Sequence, residues 1–535
     1  MEFLSPQSLW SEYDRKALPL NPSVITVTEN DGEVCERLYF SGERTASGVT
    51  RVFAKLWLPK EKNPPVIILM HELNENIDCF DASPLLSSGY AVLALDYAGE
   101  KDGKERFTLY PKELEFAKYF VNPDTLTLTP QNPKLSCWYV WTTVLLRAIT
   151  YVESDKRLSD NIAVVGVGAG GSQVMKVTAL EDLKCGVTVF ATNPPIGDEV
   201  TFKACLGNGS YAPLYRFPLI SAVCSNETEE FFERVSGIYV GSSDKYYLSV
   251  GERVGHVLLT HQRECIKAFL GRRLKMGLPI GVDAPEITAK ESERQLYYDI
   301  KADPRLSIKK VELFVAYAVE RGELRNWHKI KTLSTGAGEF IAKVPVYDAT
   351  QTVYDATQTV YAFATVFYED GFSFSTQLFA KTPALLGVQA QPLVKSRLLY
   401  DSDSGIDDFV SPNGGDDIVM KNGAFGIDGV CSLSGELATY KVGDMRFKAE
   451  EDSVLQLIVY AEESKEAEFA VCTLEKGAET EYICRRKTDS GGNWTKLTLS
   501  AEDFKSREGT LTSFAKAVYL CIRCDGLLVN TLLWV

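Results

Sequence analysis

The chain has 535 residues, of which 45% are hydrophobic and 24% charged, and its formal net charge is −15. This length exceeds what one hydrophobic core supports, so we expect about two to four domains. The acidic balance argues against a nucleic-acid partner, because binding to phosphates relies on a basic surface. No apolar run approaches the roughly 20 residues that cross a bilayer, so we expect no membrane partner.

The N-terminal residues and the cysteines indicate a reducing compartment. The first residues, MEFLSPQSLWSEYDRKALPL, lack the basic leader and apolar run of a secretory signal. Twelve cysteines are scattered without framework spacing, and most lie in apolar patterns. Cys521 and Cys524 have CxxC spacing, but they lie in a strand pattern and no second pair completes a metal site. We therefore predict a cytoplasmic protein with no metal and no cofactor.

Residues 1–280 alternate strand and helix patterns after an N-terminal β extension. The apolar runs predict strands over residues 51–59, 65–71, 90–97, 161–167, 185–192, 218–225 and 246–250, and helices over 138–154 and 259–275. Continuously apolar strands that are separated by helices indicate a mostly parallel sheet covered on both faces. The fold class predicted for this part is therefore α/β.

The remaining residues predict two all-β domains. Short alternating strands over residues 283–383 are typical of a β-sandwich like those of immunoglobulin or fibronectin type III domains. Residues 384–535 favour a second sandwich, of the jelly-roll or galactose-binding type. The segment VYDATQT occurs twice in tandem, at 346–352 and 353–359. Its odd period of seven would exchange the two faces of one continuous strand, so we expect the extra copy to loop out.

The segment AVVGVGAGGSQVMKVTAL, residues 163–180, reads as a strand, a glycine-rich corner and a helix. In α/β hydrolases this corner, called the nucleophile elbow, has the sequence motif G-x-S-x-G, with a nucleophilic serine at its apex. Here the outer glycines are Gly166 and Gly170, and the apex is Gly168. Glycine adopts such a strained turn at little steric cost, so the corner can persist without the hydroxyl. Ser172 lies one helical turn beyond the apex, and we expect it to pack rather than to replace the nucleophile.

Four segments then carry a resemblance: LYFSGERTASGVTRVFAKLWLPK, VIILMHELNEN, AVVGVGAGGSQ and GERVGHVLL. In this order they make residues 35–275 resemble an α/β hydrolase of the acetylxylan esterase, cephalosporin-C deacetylase and dienelactone hydrolase group. The resemblance implies ester hydrolysis by a serine nucleophile, a histidine base, an acidic partner and an oxyanion hole. The nucleophile position falls on Gly168, where the serine is absent.

The histidine and the acid of such a site are sought among few candidates. His256 is one of four histidines, and it follows the last predicted strand and precedes the final helix, where the resemblance places the base. Glu227 directly follows the strand 218–225, at the carboxyl edge where ligands of parallel sheets bind. Asp244 precedes the last strand and should lie at the opposite edge. We predict Glu227 as the acid; the alternative is a solvated carboxylate that begins a helix.

The oxyanion hole is predicted to use the N–H of Ala169 and one N–H from the loop after His71. In this loop, Glu72 and Leu73 stand where the resemblance implies glycine. A Glu72 carboxylate that points inward would oppose a developing oxyanion, whereas one that points outward would leave the hole intact.

These observations predict an esterase-type protein for a small ester or acylated carbohydrate, weakly active or inactive because its elbow is degenerate. One alternative keeps an enzyme in which His256 activates water directly. Another is a non-catalytic carbohydrate-binding or scaffolding protein whose β domains present Trp494, Tyr400 and Tyr482 to sugars. The sequence leaves a homo-oligomer open.

Overall fold

The structure, a computed structural model, describes residues 3–30, 32–101, 103–195, 199–228, 230–317, 321–348, 356–412, 415–475, 478–488 and 491–535. Its α-helices are α1 (Pro6–Trp10), α2 (Ser83–Ser87), α3 (Cys137–Ser154), α4 (Ala169–Leu180), α5 (Val200–Leu206), α6 (Asn208–Tyr211), α7 (Phe231–Val240) and α8 (Thr260–Leu270). Helix α8 continues as a π turn, Gly271–Lys275. Short 3-10 turns span Ile77–Cys79, Lys112–Ala117, Pro123–Leu126, Pro133–Leu135, Ala212–Leu214, Gly322–Leu324, Pro383–Leu386, Ser402–Ser404, Ala424–Gly426, Lys441–Gly443, Ala501–Asp503 and Phe514–Lys516.

The strands are numbered along the chain. The first group comprises β1 (Ser23–Asn30), β2 (Glu33–Arg44), β3 (Val49–Leu58), β4 (Val66–Met70), β5 (Ala91–Leu95), β6 (Ile162–Val167), β7 (Cys185–Val189), β8 (Leu219–Cys224) and β9 (Tyr246–Gly251). The second comprises β10 (Glu286–Ser292), β11 (Gln295–Lys301), β12 (Ile308–Tyr317), β13 (His328–Ile330), β14 (Leu333–Gly336), β15 (Glu339–Val344), β16 (Tyr347–Asp348), β17 (Val360–Tyr368), β18 (Ser373–Ser375), β19 (Phe379–Lys381) and β20 (Gln391–Pro392). The third comprises β21 (Leu398–Asp401), β22 (Ile418–Asn422), β23 (Asp428–Ser432), β24 (Glu436–Thr439), β25 (Leu455–Tyr460), β26 (Lys465–Glu475), β27 (Ala478–Thr488), β28 (Trp494–Leu499), β29 (Ala517–Arg523) and β30 (Leu528–Trp534).

The first group of strands forms a mostly parallel sheet in the order β1-β2-β3-β5-β4-β6-β7-β8-β9. The strands β5, β4, β6, β7, β8 and β9 run parallel to one another, whereas β1, β2 and β3 form an antiparallel N-terminal extension that joins β5 through β3. Strands β4 and β5 are buried along their whole length. This follows from their continuously apolar sequence, which suits a sheet with both faces covered.

Helix α3 covers one face of this sheet and is buried on nearly all sides. Its sequence is apolar around the whole helix, which is the pattern of an interior helix rather than a surface helix. Ser136 begins α3, because its side chain accepts a hydrogen bond from the N–H of Trp138 at 3.2 Å. No helix in the described ranges is long and apolar enough to cross a membrane.

The parallel sheet does not end at β9. Strand β18 pairs antiparallel with β9 through Ser375 and Leu248, and β17, β12 and β13 continue the same sheet. The side-chain hydroxyl of Ser375 also accepts the N–H of Val250 at 3.0 Å. One hydrophobic core therefore contains residues from both sides of this junction, such as Tyr247 and Phe374, whose ring centroids are 4.8 Å apart. The alternating sequence pattern predicts these strands but not this pairing.

Residues 398–534 contain a six-stranded sheet, with the order β22-β23-β30-β25-β28 and β21 beside β30, and a four-stranded sheet, β24-β29-β26-β27. Side chains of both sheets, including Leu457 and Phe469, share a separate hydrophobic core. Of the tandem VYDATQT repeat, residues 349–355 lie outside the described residues. The described part shows β16, at the start of the first copy, parallel to β20.

Candidate functional site

The glycine-rich corner connects β6 to α4 through Gly168, whose φ is +51° and ψ −119°. A residue that has a Cβ atom would be strained in this backbone conformation, whereas glycine adopts it easily. The neighbouring glycines are required by packing. A Cβ atom on Gly170 would lie 2.6 Å from the carbonyl oxygen of Met70, and one on Gly171 would lie 2.5 Å from the Cβ of Ala191. The helix therefore begins in direct contact with two neighbouring backbone segments.

The carboxylate of Glu72 points into this corner. A Cβ atom on Gly168 would lie 1.3 Å from Oε2 of Glu72. The N–H of Leu73 donates to Oε1 at 2.7 Å, and the N–H of Ala169 also bonds the carboxylate. Burial raises the pKa of Glu72 above its usual range, opposed by the Leu73 N–H, the charge of His256 and the Ala169 N–H. Of the two orientations that the sequence left open, the structure has the inward one.

His71 fixes the loop that carries Glu72. Its Nδ1 lies 2.5 Å from the carbonyl oxygen of Glu72, and its ring stacks on Tyr97 with centroids 4.8 Å apart. The hydroxyl of Tyr97 donates to the carbonyl of His71 at 3.0 Å. Nε2 of His71 lies 3.8 Å from Oδ1 of Asp96, which is too long for a hydrogen bond. Asp96 instead accepts from Nζ of Lys104 at 2.6 Å.

His256 and Glu227 meet at the carboxyl edge of the sheet. Both carboxylate oxygens of Glu227 lie 3.3 Å from Nδ1 of His256. The Glu227 side chain is 8% exposed, whereas that of His256 is 58% exposed. The hydrogen bond to Glu227 raises the pKa of His256, burial opposes it, and the charges of Glu227, Glu72 and Glu75 add to the rise. Asp244 is exposed at the start of β9, at the other edge.

Two further residues, which the sequence did not indicate, lie next to this pair: Phe190 contacts His256, and Asn226 precedes Glu227 in the chain. Phe190 has a φ of +50°, and its ring lies 4.1 Å from that of His256, centroid to centroid. Asn226 donates from Nδ2 to the carbonyls of Glu323 at 3.1 Å and Arg325 at 2.9 Å. Phe190 directly follows β7 at the edge where ligands bind, which is a signal of position. Nothing in the local sequence indicates that Asn226 bonds to backbone about 100 residues later.

A cavity of about 610 Å³ lies beside the corner. Val167 and His71, which precede Gly168 and Glu72 in the chain, are among its lining residues. Its lining combines apolar residues, such as Leu69, Ile77 and Phe80, with several charged and amide side chains. A volume of this size accommodates a small organic molecule.

Ser172 belongs to a buried polar cluster below the corner. Nζ of Lys176 lies 3.1 Å from Oγ of Ser172 and 3.0 Å from Oδ1 of Asn208. Burial lowers the pKa of Lys176 to about 7. Ser172 is 2% exposed, so its hydroxyl serves this cluster rather than the corner. Among the described residues, no group of three His, Cys, Asp or Glu side chains is arranged to hold a metal ion.

The aromatic residues considered for carbohydrate binding take part in packing. Nε1 of Trp494 donates to the carbonyl of Ala424 at 3.0 Å, and its ring packs on Tyr460. Tyr400 is 1% exposed, and Tyr482 packs against the core of the last two sheets. They do not form a joint exposed platform.

Comparison with solved structures finds esterases. An acetyl xylan esterase of Thermoanaerobacterium sp. JW/SL YS485 has 14% identity and a TM-score of 0.38, over 50% of this chain and 94% of that one. An acetyl xylan esterase of Paenibacillus sp. R4 has 17% identity and a TM-score of 0.39, over 49% and 91%. A cold-adapted esterase from an Arctic intertidal metagenomic library has 14% identity and a TM-score of 0.33, over 47% and 100%. The similarity covers about half of this chain. No family model and no curated protein matches the sequence.

Proposed function

We propose that this chain is an esterase-type α/β hydrolase with a degenerate nucleophile elbow, which binds a small ester or acylated carbohydrate and is weakly active or inactive on it. One observation carries the proposal. The Glu72 carboxylate lies at Gly168, where the resemblance implies a serine, and it bonds the N–H groups of Leu73 and Ala169. The proposal keeps the cytoplasmic location and the neutral small-molecule partner indicated by composition.

Two physical effects reduce ester hydrolysis at such a site. Without the nucleophile, an oxyanion hole and substrate binding alone leave roughly 10³ to 10⁴-fold acceleration over water. Here both N–H groups already bond a carboxylate, whose negative charge opposes an oxyanion. The same carboxylate weighs against direct activation of water by His256, since that route also needs the hole.

The test restores the missing parts together. The double variant Gly168→Ser with Glu72→Gly supplies the hydroxyl and vacates the N–H groups, so we expect p-nitrophenyl acetate hydrolysis at least about 100-fold above the unchanged chain. Gly168→Ser alone should gain little, because the serine Cβ would overlap the Glu72 carboxylate. Adding His256→Ala to the double variant should abolish the gain. A folded but inert double variant would count against the proposal.

The alternative of a non-catalytic carbohydrate-binding or scaffolding protein rests on the all-β regions predicted at 283–383 and 384–535. Residues 398–534 have a core of their own, which suits an added module. The packing of Trp494 and Tyr400 weighs against a sugar-binding role for these two rings. Calorimetric titration with xylan of the full chain and of a chain that ends at residue 383 distinguishes the esterase-type protein from the carbohydrate-binding protein. Binding lost only in the shorter chain would favour the module.

A further inference from the structure

We propose that Glu72 is itself a nucleophile, and that the site hydrolyses alkyl halides through an ester formed on the Glu72 side chain. This inference goes beyond the proposed function, although it uses the same site. It does not depend on whether an external ester binds.

The arrangement around Glu72 supplies the parts that such a reaction needs. Oε2 of Glu72 occupies the space that a side chain on Gly168, at the apex of the corner, would otherwise fill. This is the place where a nucleophilic side chain would stand. The N–H groups of Leu73 and Ala169 hold the carboxylate in one orientation. The imidazole of His256 lies within electrostatic range of the same carboxylate, and Glu227 orients it through Nδ1, so that the neutral form can accept a proton at Nε2. Carboxylate side chains are among the nucleophiles that form covalent intermediates in enzymes.

The occupied N–H groups decide between two kinds of substrate. An acyl ester needs both donors for the oxyanion of its own carbonyl group, and here they are already bonded to Glu72. Displacement at a saturated carbon creates no oxyanion on the substrate, so it leaves these donors in place. The neighbouring cavity of about 610 Å³ has one apolar part, formed by Leu69, Ile77, Phe80 and Val167, on which an alkyl chain can pack; the rest of its lining is polar or charged.

In the first step, a carboxylate oxygen of Glu72 attacks the carbon that carries the halogen. A C–O bond forms as the carbon–halogen bond breaks, and the electron pair leaves with the halide. The product is an alkyl ester of Glu72, and no proton moves in this step. The partial burial that raises the pKa of Glu72 also removes water from the attacking carboxylate.

In the second step, His256 takes a proton from water, and the hydroxide oxygen adds to the carbonyl carbon of the Glu72 ester. The N–H groups of Leu73 and Ala169 then face the oxyanion that forms on Glu72 itself. The intermediate collapses by expelling the alkoxide, which takes the proton from His256. The released carboxylic acid loses its proton to solvent. The sum is alkyl halide plus water giving alcohol, halide and a proton, and one oxygen of Glu72 now comes from water.

The experiment uses the full chain and 1-bromohexane in water enriched in oxygen-18. We expect bromide release and, in the peptide that contains Glu72 and Glu75, one oxygen-18 atom that fragmentation places on Glu72. Glu72→Gln should reduce bromide release to the solvent background. His256→Gln should release bromide once and then accumulate the hexyl ester on Glu72, because only the second step uses the imidazole.

Glu264→Gln is a matched control, since it makes the same chemical change on the exposed face of α8 and should behave like the unchanged chain. Bromide release that is equal in Glu72→Gln and the unchanged chain would overturn the proposal. Release without oxygen-18 on Glu72, or no release above background, would overturn it as well. None of these results affects the test of the proposed function, which is the gain of esterase activity in the double variant Gly168→Ser with Glu72→Gly.

Discussion

The Oε2 atom of Glu72 lies 1.3 Å from the point that a Cβ atom on Gly168 would occupy. These two residues are 96 positions apart in the numbering. A side chain at position 168 and the inward orientation of Glu72 therefore cannot occur together, and any side chain there requires Glu72 to leave the corner. The lack of a side chain at position 168 and the inward carboxylate are one structural feature rather than two.

This exclusion predicts a thermodynamic coupling. Gly168→Ala should lower the free energy of unfolding by about 1–3 kcal/mol from backbone strain alone, and by more while Glu72 is present. In a Glu72→Gly background the overlap is gone, so the cost of Gly168→Ala should be smaller. Urea unfolding of the four chains measures the cycle. Equal costs in both backgrounds would show that the carboxylate is not held in the corner.

The partner of His256 is predicted to control its protonation. Glu227→Gln removes the charge that raises the pKa of His256 and replaces the charged hydrogen-bond acceptor with a neutral one, so that pKa should fall, with burial still lowering it. Since the chain has four histidines, NMR titration of the imidazole signals resolves this shift. Asp244→Asn is the control and should leave the titration of His256 unchanged. A shift caused by Asp244→Asn instead would assign the acid to the other edge.

The buried Lys176 predicts a dependence of stability on pH. Burial lowers its folded-state pKa from 10.5 to about 7, so between these values the unfolded chain binds a proton that the folded chain lacks. The contribution of Lys176 to stability therefore rises with pH from about 7 to about 10, by at most about 4 kcal/mol. Lys176→Met should show a stability advantage at pH 7 that shrinks toward pH 10 in urea unfolding. A difference between the two chains that is constant with pH would contradict this pKa.

The junction between β9 and β18 predicts which fragments fold. A chain that ends at residue 280 loses β18 and the packing of Phe374 on Tyr247. We expect it to unfold at a lower temperature than the full chain, or to aggregate, because an edge strand and an apolar face become exposed. Residues 393–535 should unfold cooperatively alone, since their core is separate. Circular dichroism on both fragments checks this, and an unchanged melting temperature for residues 1–280 would refute it.

The sequence predicts local structure better than contacts between distant segments. The continuously apolar runs and the glycines around Gly168 indicate the parallel strands and the corner, because both depend on neighbouring residues. The orientation of Glu72 depends on N–H groups from two separate loops, and the sequence left it open. For the same reason, the sequence gives no sign of the contact between Nε2 of His328 and Oδ2 of Asp444, at 2.9 Å, which joins segments more than 100 residues apart. A histidine beside Trp327 carries no local sign of that partner.

The strand β18 has a consequence for assembly. A sheet that ends in an unpaired strand offers backbone donors and acceptors to a second molecule, and on β9 the chain's own later residues pair at Leu248 through Ser375. At the other end of the described strand order lies β1, where Val24 and Val27 are exposed. Strand β1 therefore offers residues 23–30 to a second copy of this protein for strand addition, on the side of the sheet remote from His256.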